Sequence, residues 1–219
     1  MKKSGSALDK FVWGILILVI AVIAGTFVHS KLKSQSPLPV IGQISDFKLV
    51  DQDGSARTLA DLKGKVWVAD VVFTRCPGPC AGMTRHLAEI QALLPPGDGV
   101  RLVTLTSDPE NDTPEVLKKY SQHFGADNSR WFFLTGPKAA IRHLEINDFK
   151  FVVVEKDAKE RESEDDLFIH STWFVLVDKQ GRLRGWTDDG GSLHAYYDST
   201  EDDARALLVK SVARLLREE

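Results

Sequence analysis

The chain holds two cysteines, and both lie in the run Cys76-Pro77-Gly78-Pro79-Cys80. A disulfide between them would close a loop too small to restrict the unfolded chain much, so the pair is not a scaffold staple. It is suited instead to chemistry, either soft-metal binding or thiol-disulfide exchange. Pro77 biases Cys76 toward an extended backbone, Gly78 permits a sharp turn, and Pro79 suits the first turn of a helix. The two sulfurs are thereby held on a short, stiff arc. A helix starting at the second cysteine would favour the thiolate form of at least one sulfur, which assists metal binding and exchange alike.

Two thiolates joined by one imidazole would give Cu(I) a near-trigonal site, and Cu(II) could accept the same ligands. Of the six histidines, His170 is the best candidate, because His170-Ser171-Thr172-Trp173 opens a strand that a neighbouring element could bring beside the cysteine loop. Taken alone, a histidine is more often a surface or core residue. His86, His123, His143 and His194 have no cysteine or histidine at a ligand spacing, and His29 falls in an N-terminal tether. Met83 shares a helical stripe with Leu87 and Ile90 and is expected in the core. Asp108 and Asp112 flank a helix start, where turn and capping roles are expected. Asp70 stands in an apolar strand six positions before Cys76, where an ionised carboxylate is costly unless paired or protonated. A redox role beside the thiols and a structural pairing with a lysine are equally open to it.

The elements that position these groups follow from pattern. Phe47 to Val50 enters an Asp51-Gln52-Asp53-Gly54 turn, a short opening hairpin. Val66 to Phe73 is an apolar run suited to a strand buried on both faces, and the cysteines follow at its C-terminal end. A helix from Cys80 carries Met83, Leu87, Ile90 and Leu94 inward and stops at Pro95-Pro96-Gly97. Val100 to Thr106 and Trp131 to Leu134 are further strands, and a helix starting near Pro114 lies between them. A helix from 137 to 146, a strand from 149 to 154, a charged loop over 155–166, strands from 168 to 177 and 183 to 186, and a final amphipathic helix complete the order. This outline is that of an α/β thioredoxin-like fold with an N-terminal hairpin extension.

Residues 11–28 form an uncharged apolar run that as a helix measures about 27 Å, close to the ~30 Å hydrocarbon layer. One transmembrane helix is therefore expected, preceded by a cytoplasmic N-terminus (1–10) and followed by a polar tether (29–44) and the thioredoxin-like domain (45–219). The alternative is a cleaved signal peptide, although the run exceeds the usual apolar length of one. Lys2, Lys3 and Lys10 precede the run and Lys31 and Lys33 follow it, which favours an inner-membrane protein with its domain on the outward, periplasm-like side. With 28 basic and 31 acidic residues and a net charge of -3, the chain lacks the basic footprint of a nucleic-acid binder. Oligomeric state is not legible.

Four stretches together resemble the SCO/SenC family of copper-handling thioredoxin-like proteins. They are the opening hairpin ending in Asp51-Gln52-Asp53-Gly54, Phe73-Thr74-Arg75-Cys76 through Cys80, Thr106-Ser107-Asp108-Pro109-Glu110-Asn111-Asp112-Thr113, and His170 with its hairpin. The resemblance implies a metallochaperone that binds copper through Cys76, Cys80 and His170 and passes it to a client, a cytochrome c oxidase subunit. One departure is Ala81, where the family usually has proline. The alternative function is a thiol-disulfide oxidoreductase that reduces client cysteines before metallation, with Cys76 attacking and Cys80 resolving. Phe168-Ile169-His170-Ser171 lacks the proline that thioredoxin-type reductases place opposite their cysteines, which favours copper. A peroxidase is disfavoured by the second cysteine four residues on.

Overall fold

The computed structural model describes residues 7–35, 37–151, 153–155, 159 and 168–218, with side chains described for 10–26, 37–151, 159 and 171–218. The chain divides into two units, residues 1–37 and 38–219. The first contains α1 (Ala7–Gln35), which continues seven residues beyond Val28. Its described side chains, 10–26, are exposed and mostly apolar. No helix among the described residues is long and apolar enough to cross a membrane. This corrects the expected transmembrane anchor, and with it the expected membrane contact and outward-facing location.

The second unit begins with β1 (Val40–Gln43). The opening hairpin follows as β2 (Lys48–Val50) and β3 (Ala56–Thr58), paired Lys48 to Thr58. Its turn closes because Asp51 accepts hydrogen bonds from the Asp53 and Ser55 amides while Gly54 takes φ 79°. A one-turn helix, α2 (Leu59–Leu62), leads to β4 (Val66–Val72), whose residues are all buried, as expected of a central strand that is apolar except at Asp70. Next come α3 (Cys80–Leu93), β5 (Val100–Thr106), α4 (Pro114–His123) and β6 (Trp131–Leu134). Met83, Leu87 and Ile90 pack inward from α3, as their spacing predicts. Thr113, rather than Asp112, caps α4, accepting from the Val116 amide at 3.4 Å.

After α5 (Lys138–His143) the chain widens into a π-helical turn (Leu144–Asp148) and reaches β7 (Val153–Glu155) and β8 (Phe168–His170), which among the described residues pair only with each other. The expected 168–177 strand is thus two: β8, and after Ser171 and Thr172, β9 (Trp173–Val177). The rest is β10 (Arg182–Arg184), β11 (Trp186–Thr187), β12 (Leu193–His194), β13 (Tyr197–Asp198) and α6 (Asp202–Leu215). The main sheet runs β1-β10-β9-β4-β5-β6, with β13 added to β9. β4, β5 and β6 are parallel, and β9 and β10 lie antiparallel on the other side of β4. Parallel strands beside an antiparallel hairpin, with helices between them, make the α/β thioredoxin-like fold that the element order predicts. The charged run over 155–166 falls almost wholly outside the described residues.

Gly185 explains why the expected 183–186 strand breaks. A Cβ there would stand 2.4 Å from the His194 carbonyl oxygen and 2.8 Å from the Ile41 Cδ1. Only a glycine lets the 193–194 backbone approach so closely. Gly185→Ala is expected to cost about 1–3 kcal/mol, the usual range for overpacking, read as a lower urea midpoint at unchanged slope.

Candidate functional site

β4 delivers the chain to the cysteines. Phe73 is buried at its end, the Cys76 amide bonds the Phe73 carbonyl at 3.1 Å in a tight turn, and Cys80 is the first residue of α3. The Gly78 amide points at the Cys76 sulfur, 3.4 Å away. Both cysteines are free thiols, and they hydrogen-bond one another. Their exposure differs: Cys76 is half-buried, whereas Cys80 is 1% exposed. Burial pushes the Cys80 thiol far above its ordinary range, reinforced by the hydrogen bond to Cys76, the charge of Cys76 and the charge of Asp70. The helix N-terminus favours the Cys80 thiolate, but desolvation outweighs it here. The expected activation by the helix therefore does not reach the buried sulfur.

Two aspartates brace the residues just before Cys76. Asp112, 0% exposed, accepts the Thr74 amide at 3.1 Å together with the hydroxyls of Thr74 and Thr106. Asp108 accepts Arg75 at 3.1 Å and the Asn111 side chain at 3.0 Å. The 107–113 loop thus fastens the Thr74 backbone and the Arg75 side chain and fixes where the dithiol begins. Burial raises the Asp112 carboxyl above 3.8, partly offset by its threonine hydrogen bonds. The spacing of residues 108–113 suggests only turns and caps. The signal that Asp112 does more is a pair of hydroxyls, Thr104 and Thr106, on one face of an otherwise apolar strand.

Those hydroxyls divide the buried carboxylates between them. Thr104 donates to Asp70 at 2.7 Å and receives the Trp131 indole N–H at 2.9 Å. Asp70 is 0% exposed and sits opposite Thr104 in the β4–β5 register. Thr84 on α3 bonds the Cys80 carbonyl and the Tyr120 hydroxyl, each at 3.0 Å, so α4 also holds the helix that begins at Cys80. Met83 is buried in the core, as expected.

The SCO1/SenC family profile matches residues 40–203, which takes in this dithiol and both braces. The chain belongs to the SCO1/SenC family. The SCO1 protein homolog of Bacillus subtilis (strain 168) is 34% identical over 170 residues, 77% of this chain and 84% of that relative. BsSco, a member of the Sco family of cytochrome c oxidase assembly proteins in which a disulfide switch was identified, superposes with a TM-score of 0.65 at 27% identity, over 84% of this chain and 100% of its own. ScoI of Bradyrhizobium japonicum, solved with copper bound, gives a TM-score of 0.59 at 26% identity, over 77% of this chain and 97% of its own.

Copper is thus associated with the family to which this SCO1/SenC chain belongs. The expected three-ligand site is not assembled among the described residues. No group of three or more His, Cys, Asp or Glu side chains is gathered to hold a metal ion among the described residues. The dithiol supplies two donors. His170 is placed by its backbone, which pairs with Val153 in β8, and its side chain lies outside the described residues. Three of the four remaining histidines with described side chains are engaged elsewhere. His194 bonds Asp188 at 3.0 Å and stacks on Trp186, His143 bonds Asn147 at 2.9 Å, and His123 meets the Phe124 ring edge-on. His86 is half-buried on α3.

Proposed function

We propose that this SCO1/SenC protein handles copper as cargo through the Cys76–Cys80 dithiol, and releases it to a client protein, a cytochrome c oxidase subunit, by ligand exchange. The observation that carries the proposal is the pair itself: two thiols in mutual contact at the head of α3, one accessible and one buried. Soft sulfur donors select Cu(I), and two of them suffice for a low-coordinate monovalent ion. The half-buried Cys76 is the sulfur that an incoming client ligand can approach first. The copper-bound relative supports the choice of metal, and the oxidase-assembly relative the choice of client. His170 is put forward as the residue to test for completing the coordination.

The test titrates the full-length, reduced protein with Cu(I) against a chromophoric Cu(I) chelator. One copper per chain is expected. Cys76→Ser and Cys80→Ser should each weaken binding by at least about 100-fold, more than the outer partners of a metal ligand usually carry. Uptake that survives both substitutions would refute the assignment, and His170→Ala in the same titration decides the third ligand.

A second reading is favoured by the unequal exposure of the two thiols. The Cys76 thiolate would attack a client disulfide, forming a mixed disulfide and expelling one client thiolate. Cys80, on losing its proton, would then attack the Cys76 sulfur, releasing the second client thiolate and leaving a Cys76–Cys80 disulfide, so two electrons pass to the client. Insulin reduction without copper uptake would move the assignment to this exchange reaction.

A further inference from the structure

One tyrosine touches the segments that lead into and out of the hairpin that carries His170, its entry and exit legs. Tyr196 precedes β13, whose pairing with β9 sets Tyr197 opposite Phe174 and Asp198 opposite Trp173. On the entry leg its hydroxyl donates to the Lys150 carbonyl at 2.6 Å, and its ring lies 5.7 Å from that of Phe151. On the exit leg its ring stacks on Trp173, with centroids 4.3 Å apart and planes 11° from parallel. Its own carbonyl is held in turn by the Trp186 indole N–H at 2.9 Å.

The entry leg needs such a fastening. Lys150 has φ 62°, a left-handed conformation that a lysine adopts only under constraint, and it follows Phe149, the residue that caps the π-helical turn. The Phe151 amide bonds the Glu145 carbonyl at 2.9 Å, while its ring packs on Phe149, which packs on Trp67 of β4. The exit leg is tied by the Ser199 amide to the Thr172 carbonyl at 2.8 Å. Among the described residues β7 and β8 pair with no other strand, so the ends of the two legs are where the hairpin's position is set.

We propose that Tyr196 is a positioning residue, a clamp that joins Lys150 on one leg to Trp173 on the other and so fixes where β8 presents His170. The clamp stands on geometry alone. Its consequence for copper rests on the proposed function and on His170 taking part in it.

The experiment has two arms, each with the full-length protein carrying Tyr196→Phe or Tyr196→Ala. The first arm reads amide hydrogen exchange without copper. Tyr196→Phe keeps the stack and loses the hydroxyl, and should speed exchange at 153–155 and 168–170 about fivefold, the worth of one net hydrogen bond. Tyr196→Ala should speed it further, with β4 and β5 amides unchanged relative to wild type. Hairpin exchange that is unaltered in both variants overturns the clamp.

The second arm measures Cu(I) affinity for Tyr196→Ala, alone and combined with His170→Ala. A loss of about tenfold or more alone, absent in the His170→Ala background and partly restored by Tyr196→Phe, is the expected signature of action through His170. Equal losses in both backgrounds overturn the positioning role. If His170→Ala itself leaves copper binding intact, the third-ligand assignment falls and the copper consequence with it, while the exchange arm still decides the clamp.

Discussion

Iodoacetamide is expected to alkylate Cys76 at least about 100-fold faster than Cys80 at neutral pH, because only a thiolate attacks and each unit by which a thiol's pKa is raised removes about tenfold of it. Cys80 is both 1% exposed and held protonated by burial, so access and ionisation oppose its reaction together. Cys76 is half-buried, and its sulfur accepts the Gly78 amide. In Cys76→Ser the charge that helps raise the Cys80 pKa disappears, but desolvation, the largest cause, remains. The lone Cys80 should therefore still react slowly. Mass spectrometry of the two single-cysteine variants reads the rates directly, and similar rates would mean that the buried sulfur opens to solvent often enough to lead the chemistry. Either copper transfer or disulfide exchange then begins at the sulfur that reacts first.

The order of elements is legible because periodicity is local: β4, β5, β6, the inward stripe of α3 and the hairpin at Asp51 all fall where alternation, apolar runs and turn residues put them. What pairs with what is not local. Residues 168–177 look like one strand because every residue around the Ser171-Thr172 step suits extended backbone, yet β8 pairs with β7 and β9 with β4. The sequence motif likewise marks Cys76 and Cys80 as the pair but assigns reactivity by the helix terminus, and burial reverses that at Cys80. Tyr196 carries no sequence signal at all, since its partners Lys150 and Trp173 are far away along the chain.

Asp112→Ala is expected to destabilise the protein by about 2–4 kcal/mol, because three donors, the buried Thr106 hydroxyl and the part-buried amide and hydroxyl of Thr74, lose one shared acceptor. That is a large part of the ~5–15 kcal/mol that a domain usually has. Asp112→Asn retains one oxygen for the two donors on Oδ2, and its amide N–H can donate to the Thr74 hydroxyl, so its cost should be about 1 kcal/mol. The pair also tests charge. The folded carboxyl titrates above 3.8, so the fold favours its protonated form, and that advantage is present at low pH and lost as pH rises through the raised value. Urea unfolding of wild type and Asp112→Asn from pH 4 to pH 7 should show wild type losing ground to the variant as pH increases. A difference that stays flat, or grows in favour of wild type, would mean that the threonine hydrogen bonds outweigh burial and hold Asp112 ionised. Because the same carboxyl anchors the Thr74 amide two residues before Cys76, loosening it should also blur the thiol asymmetry, with Cys80 alkylation rising in Asp112→Ala but not in Asp112→Asn.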